Sequence, residues 1–200
     1  MGVRHYLRNE RRMLASIGLA LRGRKALAPG AEGFGYSRSQ RPLLVVFAVL
    51  TVAEGLLFAL VGFGLVVHLV LAAVELYSLL LLLGLLSSMT VHPHSVSPDE
   101  VHVRYGAFLD VRVPVSAIAA VRARREDHSG KPALALADGT FTVALSWQTN
   151  VVLELRHPVA FTRPLGRTGE ARVLKFYADD PRAATAAIEH AMARPRDRSS

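Results

Sequence analysis

The chain of 200 residues has no cysteine, which excludes disulfides, thiolate metal sites, iron–sulfur clusters and a cysteine nucleophile together. Tryptophan is almost as scarce, with Trp147 alone. Ionisable side chains are nearly missing from residues 43–89, where only Glu54, His68 and Glu75 occur. Gly33-Phe34-Gly35 and Gly62-Phe63-Gly64 lack the spacing and context of a phosphate-binding loop. No nucleophile with an attendant base can be picked out, so no catalytic residue and no cofactor are assigned and enzyme activity is not expected. The length admits one compact domain beside a membrane segment and excludes a large multi-domain enzyme.

What is present is an uneven charge. The net +8 divides into +7 before residue 43, +3 after residue 89 and two acids between them. A basic arm ahead of an apolar run reads as a topology signal or an attraction to anionic lipid headgroups, and nucleic acid is not the expected partner. One span needs about 20 residues to cross ~30 Å of hydrocarbon. Residues 43–89 therefore fit two helices, 43–61 and 65–86, joined by a tight turn at Gly62-Phe63-Gly64. Arg38 and Arg41 precede the first span and the turn carries no charge, so both termini are expected in the cytoplasm, with the hairpin in an inner or plasma membrane.

Residues 1–27 read as a basic amphipathic segment. At about 100° per residue, Arg4, Arg8, Arg11, Arg12 and Arg22 share one arc while Leu7, Met13, Leu14, Ile17 and Leu21 lie opposite, which suits an interfacial helix on the anionic leaflet. A signal peptide fits less well, because the short apolar run ends at Arg22-Gly23-Arg24-Lys25 with no small-residue cleavage site. Residues 28–42, with Pro29 and several glycines, read as a linker.

Beyond Met89 the period changes to two. Residues 101–105 and 111–113 alternate around a turn, 118–122 continue, Asp138-Gly139 marks a tight hairpin between 133–137 and 140–145, and 151–155 and 173–177 follow, making about seven strands in a mostly antiparallel sheet. Asp180 and Pro181 open a helix with Ala184, Ala187, Ile188 and Ala191 on one face, stopped by Pro195; residues 194–200 read as a disordered tail.

Val101-His102-Val103-Arg104-Tyr105-Gly106, Asp110-Val111-Arg112-Val113-Pro114 and Ser116-Ala117-Ile118-Ala119-Ala120-Val121 resemble the opening of bacterial pleckstrin-homology-like membrane proteins. Val91-His92-Pro93-His94, Gln148-Thr149-Asn150-Val151 and Tyr177-Ala178-Asp179-Asp180-Pro181 are similar to segments of uncharacterised actinobacterial two-pass membrane proteins. The resemblance covers roughly 33–190 and implies a two-helix membrane hairpin followed by a cytoplasmic pleckstrin-homology-like domain over 90–193. It implies no enzyme activity and fixes no ligand.

Three groups are candidates for function. Glu54, His68 and Glu75 are costly in hydrocarbon, His68 and Glu75 share a helix face, and Glu54 and Glu75 lie at similar depth, so they could meet between helices, as a proton or ion site or as hydrogen bonds pinning the hairpin or a homo-oligomer. Arg122, Arg124, Arg125 and Lys131 form a basic rim suited to lipid headgroups or an acidic partner, or else a solvated strand end. His92, His94 and the nearby His102 suggest interfacial histidines more than a metal site, and Trp147 a core or loop-packing residue. The expected function is a membrane-anchored binding or scaffold module that recruits a protein partner or senses lipid. The alternative is a small oligomeric transport or proton-coupled subunit.

Overall fold

The computed structural model describes residues 2–163 and 166–194. Helix α1 (Gly2–Leu21) is followed by strand β1 (Glu32–Phe34) and then by helices α2 (Arg41–Leu60) and α3 (Leu65–Val91). Both α2 and α3 are long and apolar enough to cross a membrane, and almost nothing in them is buried by the rest of the chain. Pro42 occupies the first turn of α2, where its missing N–H costs nothing. The seam toward α3 is built from Leu44, Ala48, Thr51, Gly55 and Phe58, the partly buried residues of α2, which recur every three or four positions.

The expected amphipathic segment does form a helix, but α3 occupies its apolar side. Met13 and Ser16 are buried, and Gly84 of α3 leaves room for Met13, whose Cγ would lie 3.3 Å from a Cβ added there. Arg11 and Arg12 remain exposed. A free interfacial helix is thus replaced by one docked on α3.

Strands β2 (His94–Val96), β3 (Glu100–Tyr105) and β4 (Leu109–Pro114) follow α3, and a short 3₁₀ turn (Val115–Ala117) leads into β5 (Ile118–Asp127). Then come β6 (Leu134–Ala137), β7 (Thr140–Val143), β8 (Gln148–Thr162), β9 (Thr168–Phe176) and helix α4 (Pro181–Ala193). The first sheet has the order β1-β2-β3-β4 and is antiparallel; the second runs β5-β8-β9-β7-β6 and contains one parallel pair, β7 with β9. Alternation is cleanest in β4, where Leu109, Val111 and Val113 are buried and the residues between them exposed. Val103 and Val111 of the first sheet, Phe141, Leu153 and Leu174 of the second, and Ala184 and Ile188 of α4 belong to a single core. Asp180 caps α4 by accepting from the Ala183 N–H at 3.0 Å.

Several expectations change. Residues 28–42 are more than a linker: β1 pairs with β2, with Glu32 opposite Val96, and Tyr36 is buried. The described residues hold nine strands where about seven were expected, because β1 was unseen and because β2 is so short. Strand β8 reaches Thr162, with a register shift between Glu154 and Val159 that accommodates Pro158. Asp138 and Gly139 both have positive φ, as the tight turn requires. The tail read from 194 onward lies, after Arg194, outside the described residues.

Trp147 is no core residue. It stands 63% exposed at the tip of the two-residue turn between β7 and β8, closed by Leu145 N–H to the Gln148 carbonyl at 3.0 Å and the reciprocal bond at 2.9 Å. Ser146 and Trp147 both adopt positive φ, 48° and 59°. A non-glycine residue pays about 1–2 kcal/mol for that conformation.

Candidate functional site

The densest polar contacts outside the sheet ladders lie where the two long helices meet the β domain. Tyr36, from the segment between β1 and α2, is 1% exposed and stacks on His94 with ring centroids 4.5 Å apart. His94 meets the edge of Phe176 on its other side, at 4.9 Å. Its Nδ1 accepts from the Arg104 backbone N–H at 3.0 Å and its Nε2–H donates to the Tyr177 carbonyl at 2.8 Å, which fixes the neutral tautomer. Burial pushes its pKa down to about 4. His94 is therefore a structural pin inside the domain, not an interfacial histidine, and both ring nitrogens are already engaged. The Tyr36 hydroxyl accepts from the Gly106 N–H at 2.6 Å, and burial raises its pKa.

The C-terminal side closes on the same place. Asn150 pairs with the backbone of Ala178, its amide donating to the carbonyl at 2.7 Å and its oxygen accepting from the N–H at 2.8 Å. The Asp179 carboxylate accepts from Arg38 N–H at 3.1 Å, and the Asp179 N–H donates to the Gly35 carbonyl at 2.8 Å. A Cβ at Gly35 would lie 2.9 Å from the Asp179 carboxylate, so any side chain there would push that carboxylate away from the Arg38 N–H. The helix ends are tied in as well. Ser88 Oγ of α3 accepts from the Ala107 N–H at 2.7 Å, and Arg41 at the start of α2 donates to Ser37 Oγ at 3.1 Å and Thr90 Oγ1 at 3.4 Å. Met89 and Leu145 are buried against Tyr36, with Leu44 and Leu85 alongside.

Segments distant in sequence, around 35–38, 88–94, 104–107, 145–150 and 177–179, thus form one rigid joint. Four of them, around 88–94, 104–107, 145–150 and 177–179, overlap the stretches that carried the resemblance. Tyr36 was missed by sequence reasoning; the alternation of Phe34 with Tyr36 inside a Gly- and Ser-rich stretch was the available signal.

The membrane residues are placed apart. Glu75 lies in the α2–α3 seam, its carboxylate against the bare Cα of Gly55. His68 is partly buried and meets the Phe63 ring edge-on at 5.8 Å. Glu54, one residue and about 100° round from Gly55, is exposed and has no hydrogen-bond or ionic partner among the described residues. The expected meeting of Glu54 with Glu75 is not formed within one chain. Adding a side chain at position 55 tests the seam: Gly55→Ala should destabilise the hairpin by about 1–3 kcal/mol through overpacking, and shortening the acid with Glu75→Ala should restore it. Because the chain has no cysteine, disulfide trapping between residues introduced at 48 and 82 reads the effect. Equal trapping in every variant would remove Glu75 from the seam.

Of the basic group, Arg122 pairs with Glu154 at 2.6 Å and Arg124 lies 3.5 Å from Glu126. Arg125 and Lys131 are exposed and their side chains make no hydrogen bond among the described residues, although the Arg125 charge helps to lower the Asp127 pKa. Both flank the end of β5, where Asp127 pairs with Gln148 and the His128 N–H donates to the Trp147 carbonyl at 2.7 Å. His128 is buried, its Nε2 2.9 Å from Thr149 Oγ1. A cleft of about 340 Å³ opens here, between Lys131, Lys175, Thr142 and the acids Glu126, Asp127 and Asp138. Lys175 is already paired with Glu126 at 2.6 Å, which lowers the Glu126 pKa, so the cleft has no strong bias toward anions.

His102, the third histidine considered for a metal, lies between carboxylates, 3.0 Å from Asp110 and 3.2 Å from Glu100. Among the described residues no group of three or more His, Asp or Glu is arranged to hold a metal ion. No protein-family model, curated protein or solved structure matches the chain.

Proposed function

We propose that this chain is a membrane-anchored module whose helical hairpin holds a pleckstrin-homology-like domain at fixed height on the inner leaflet, where it senses anionic lipid. The observation that carries the reading is the joint. A tethered domain would need only a flexible strand of chain, whereas Ser88 of α3 is bonded to Ala107, and Tyr36 and Arg38, just ahead of α2, are bonded to Gly106 and Asp179. Strand β1 precedes the hairpin and pairs with β2, which follows it, and this pairing supports a topology with both flanks on one side of the bilayer. The basic amino-terminal flank favours the cytoplasmic side. Support for the pleckstrin-like class comes from two sheets around one core, with a C-terminal helix packed into it. The parallel β7–β9 pair and the strand contributed from before the membrane are departures from that class.

Arg125 and Lys131 are exposed cations beside the end of β5, and a basic side chain near an anionic leaflet contributes about 1 kcal/mol. Arg124 and Arg125 are trypsin sites, whereas Pro132 protects the bond after Lys131. In vesicles containing phosphatidylglycerol, cleavage after Arg125 should be roughly tenfold slower than in neutral vesicles, and Arg125→Glu with Lys131→Glu should remove the difference in cleavage at the neighbouring site, Arg124. Equal cleavage in both vesicles, with protection appearing only in the presence of a copurified protein, would instead identify a recruiting scaffold.

One observation favours the second reading, an oligomeric proton-coupled subunit: Glu54 faces outward from the hairpin. An acid there is expensive in lipid unless another helix covers it. Glu54→Gln should preserve detergent-resistant association and Glu54→Leu weaken it if the acid only bonds between copies. Proton flux into liposomes that is lost in Glu54→Gln, with association intact, would establish transport.

A further inference from the structure

The turn between β7 and β8 combines features that a solvated hairpin has no use for. Its two central residues are Ser146 and Trp147, where Asn-Gly or another left-handed pair is the unstrained choice, and both are held at positive φ. The side chain displayed at this cost is the largest in the repertoire, and it is 63% exposed. Strain retained at an exposed position points to use of that position.

The location of the turn says what meets it. Leu145, its first residue, is 2% exposed and buried with Tyr36 and Met89, with Leu44 at the start of one span and Leu85 near the end of the other against the same cluster. Trp147 therefore projects from a point fixed to the base of the hairpin, two residues from side chains that pack against both spans. The carbonyl of Trp147 is held by the buried His128 at 2.7 Å, so the turn cannot swing away from this position. Amphipathic tryptophan rings favour the headgroup level of a bilayer, with the ring body in the acyl boundary and the N–H toward water.

We infer that Trp147 is a membrane foot: it inserts into the headgroup layer of the bilayer that the hairpin spans and sets the tilt of the domain over that surface. Arg125 and Lys131, beside the turn, supply contacts to lipid phosphate at the rim of the same footprint. The inference rests on the membrane-anchored reading and adds to it the surface by which the domain touches lipid.

The chain carries its own probe, because Trp147 is the only tryptophan. The full chain is reconstituted in phosphatidylcholine and phosphatidylglycerol vesicles, with bromine placed either high or low on the acyl chains. Emission from Trp147 is expected to shift to the blue, to lose intensity more to shallow than to deep bromine, and to be shielded from aqueous iodide. Bromine without effect, together with full quenching by iodide, would overturn the inference; so would a shift that appears only on adding a soluble protein fraction. A second sample carries Trp147→Phe and Leu69→Trp, which moves the probe into the second span. Loss of emission to deep bromine in that sample while Trp147 stays unquenched would reject the foot alone. No loss in either sample would reject the membrane spans themselves. Trp147→Gly relieves the left-handed backbone, so a folded domain that gains mobility over the vesicle surface in this variant is the expected corollary; unchanged mobility counts against the foot.

Discussion

Tyr36→Ala should be among the most damaging single substitutions in the chain, with an expected cost of about 3–5 kcal/mol, the range for removing a buried aromatic ring. The ring is 1% exposed, stacks on His94 and belongs to the cluster that includes Met89 and Leu145. Tyr36→Phe keeps the ring but strips the Gly106 N–H of its acceptor, a loss of about 1–3 kcal/mol. Denaturant unfolding of the detergent-solubilised chain, followed by near-ultraviolet circular dichroism, should order the three proteins as wild type, Phe, Ala. The same contacts predict that residues 95–193, excised from the chain, do not unfold cooperatively, since they lack β1, Tyr36, His94 and Met89. A sharp transition in that fragment would show that the joint is dispensable to the domain.

The second large effect is acid sensitivity centred on His94. Burial holds its pKa at about 4 in the folded protein, while an unfolded histidine titrates near 6.5. Between those values the unfolded chain binds a proton that the folded chain refuses, so stability falls as pH drops through this window, by about 3 kcal/mol in all, and levels off below pH 4. His92, whose pKa burial also lowers, shifts stability in the same direction. A proton on His94 would have to sit on Nδ1, where the Arg104 N–H now points, and Arg104 adds its own charge nearby. His94→Gln should therefore be less stable than wild type at pH 7 and lose much of the pH dependence between pH 6.5 and 4. An unchanged slope in that variant would move the acid response to other groups.

Much of this architecture can be read directly from residue patterns. The hairpin is legible because an uninterrupted apolar run admits few other solutions, and β3, β4 and α4 are legible because Val101, Val103, Val111 and Val113 alternate and Asp180-Pro181 announces a helix. The Asp138-Gly139 turn carries its own chemistry. What stays hidden depends on partners far along the chain. Glu32-Gly33-Phe34 is too short and too glycine-rich to show a period, and becomes a strand only because His94-Ser95-Val96 lies beside it. His94 looks interfacial next to Pro93, since nothing local shows that Tyr36 and Phe176 enclose it. Strand β8 looks finished at Leu155 because His157-Pro158 interrupts its alternation, although pairing resumes at Val159. Among the candidate side chains, Arg122 finds in Glu154 a partner that adjacency does not reveal, whereas the Glu126 beside Arg124 is two residues along the same strand, and Glu54 lies one step round the helix from Gly55, where Glu75 packs.

The pairing of β1 with β2 also dictates an order of events during synthesis. Phe34 leaves the ribosome sixty residues before its partner His94, a delay of about 3–12 s at ordinary elongation rates. On the membrane-anchored reading the hairpin is threaded into the bilayer throughout that interval, and Tyr36 waits at its mouth without the ring and the backbone N–H that will enclose it. On the proposed topology the domain closes only after both crossings are complete and the chain has returned to the side where it began. A hairpin inserted with one crossing instead of two would leave β1 on the wrong face, with β2 as a bare edge and Leu145 uncovered. On that topology closure of the joint would act as a checkpoint on insertion, and molecules that fail it would present the exposed strand and apolar surface that quality-control proteases recognise.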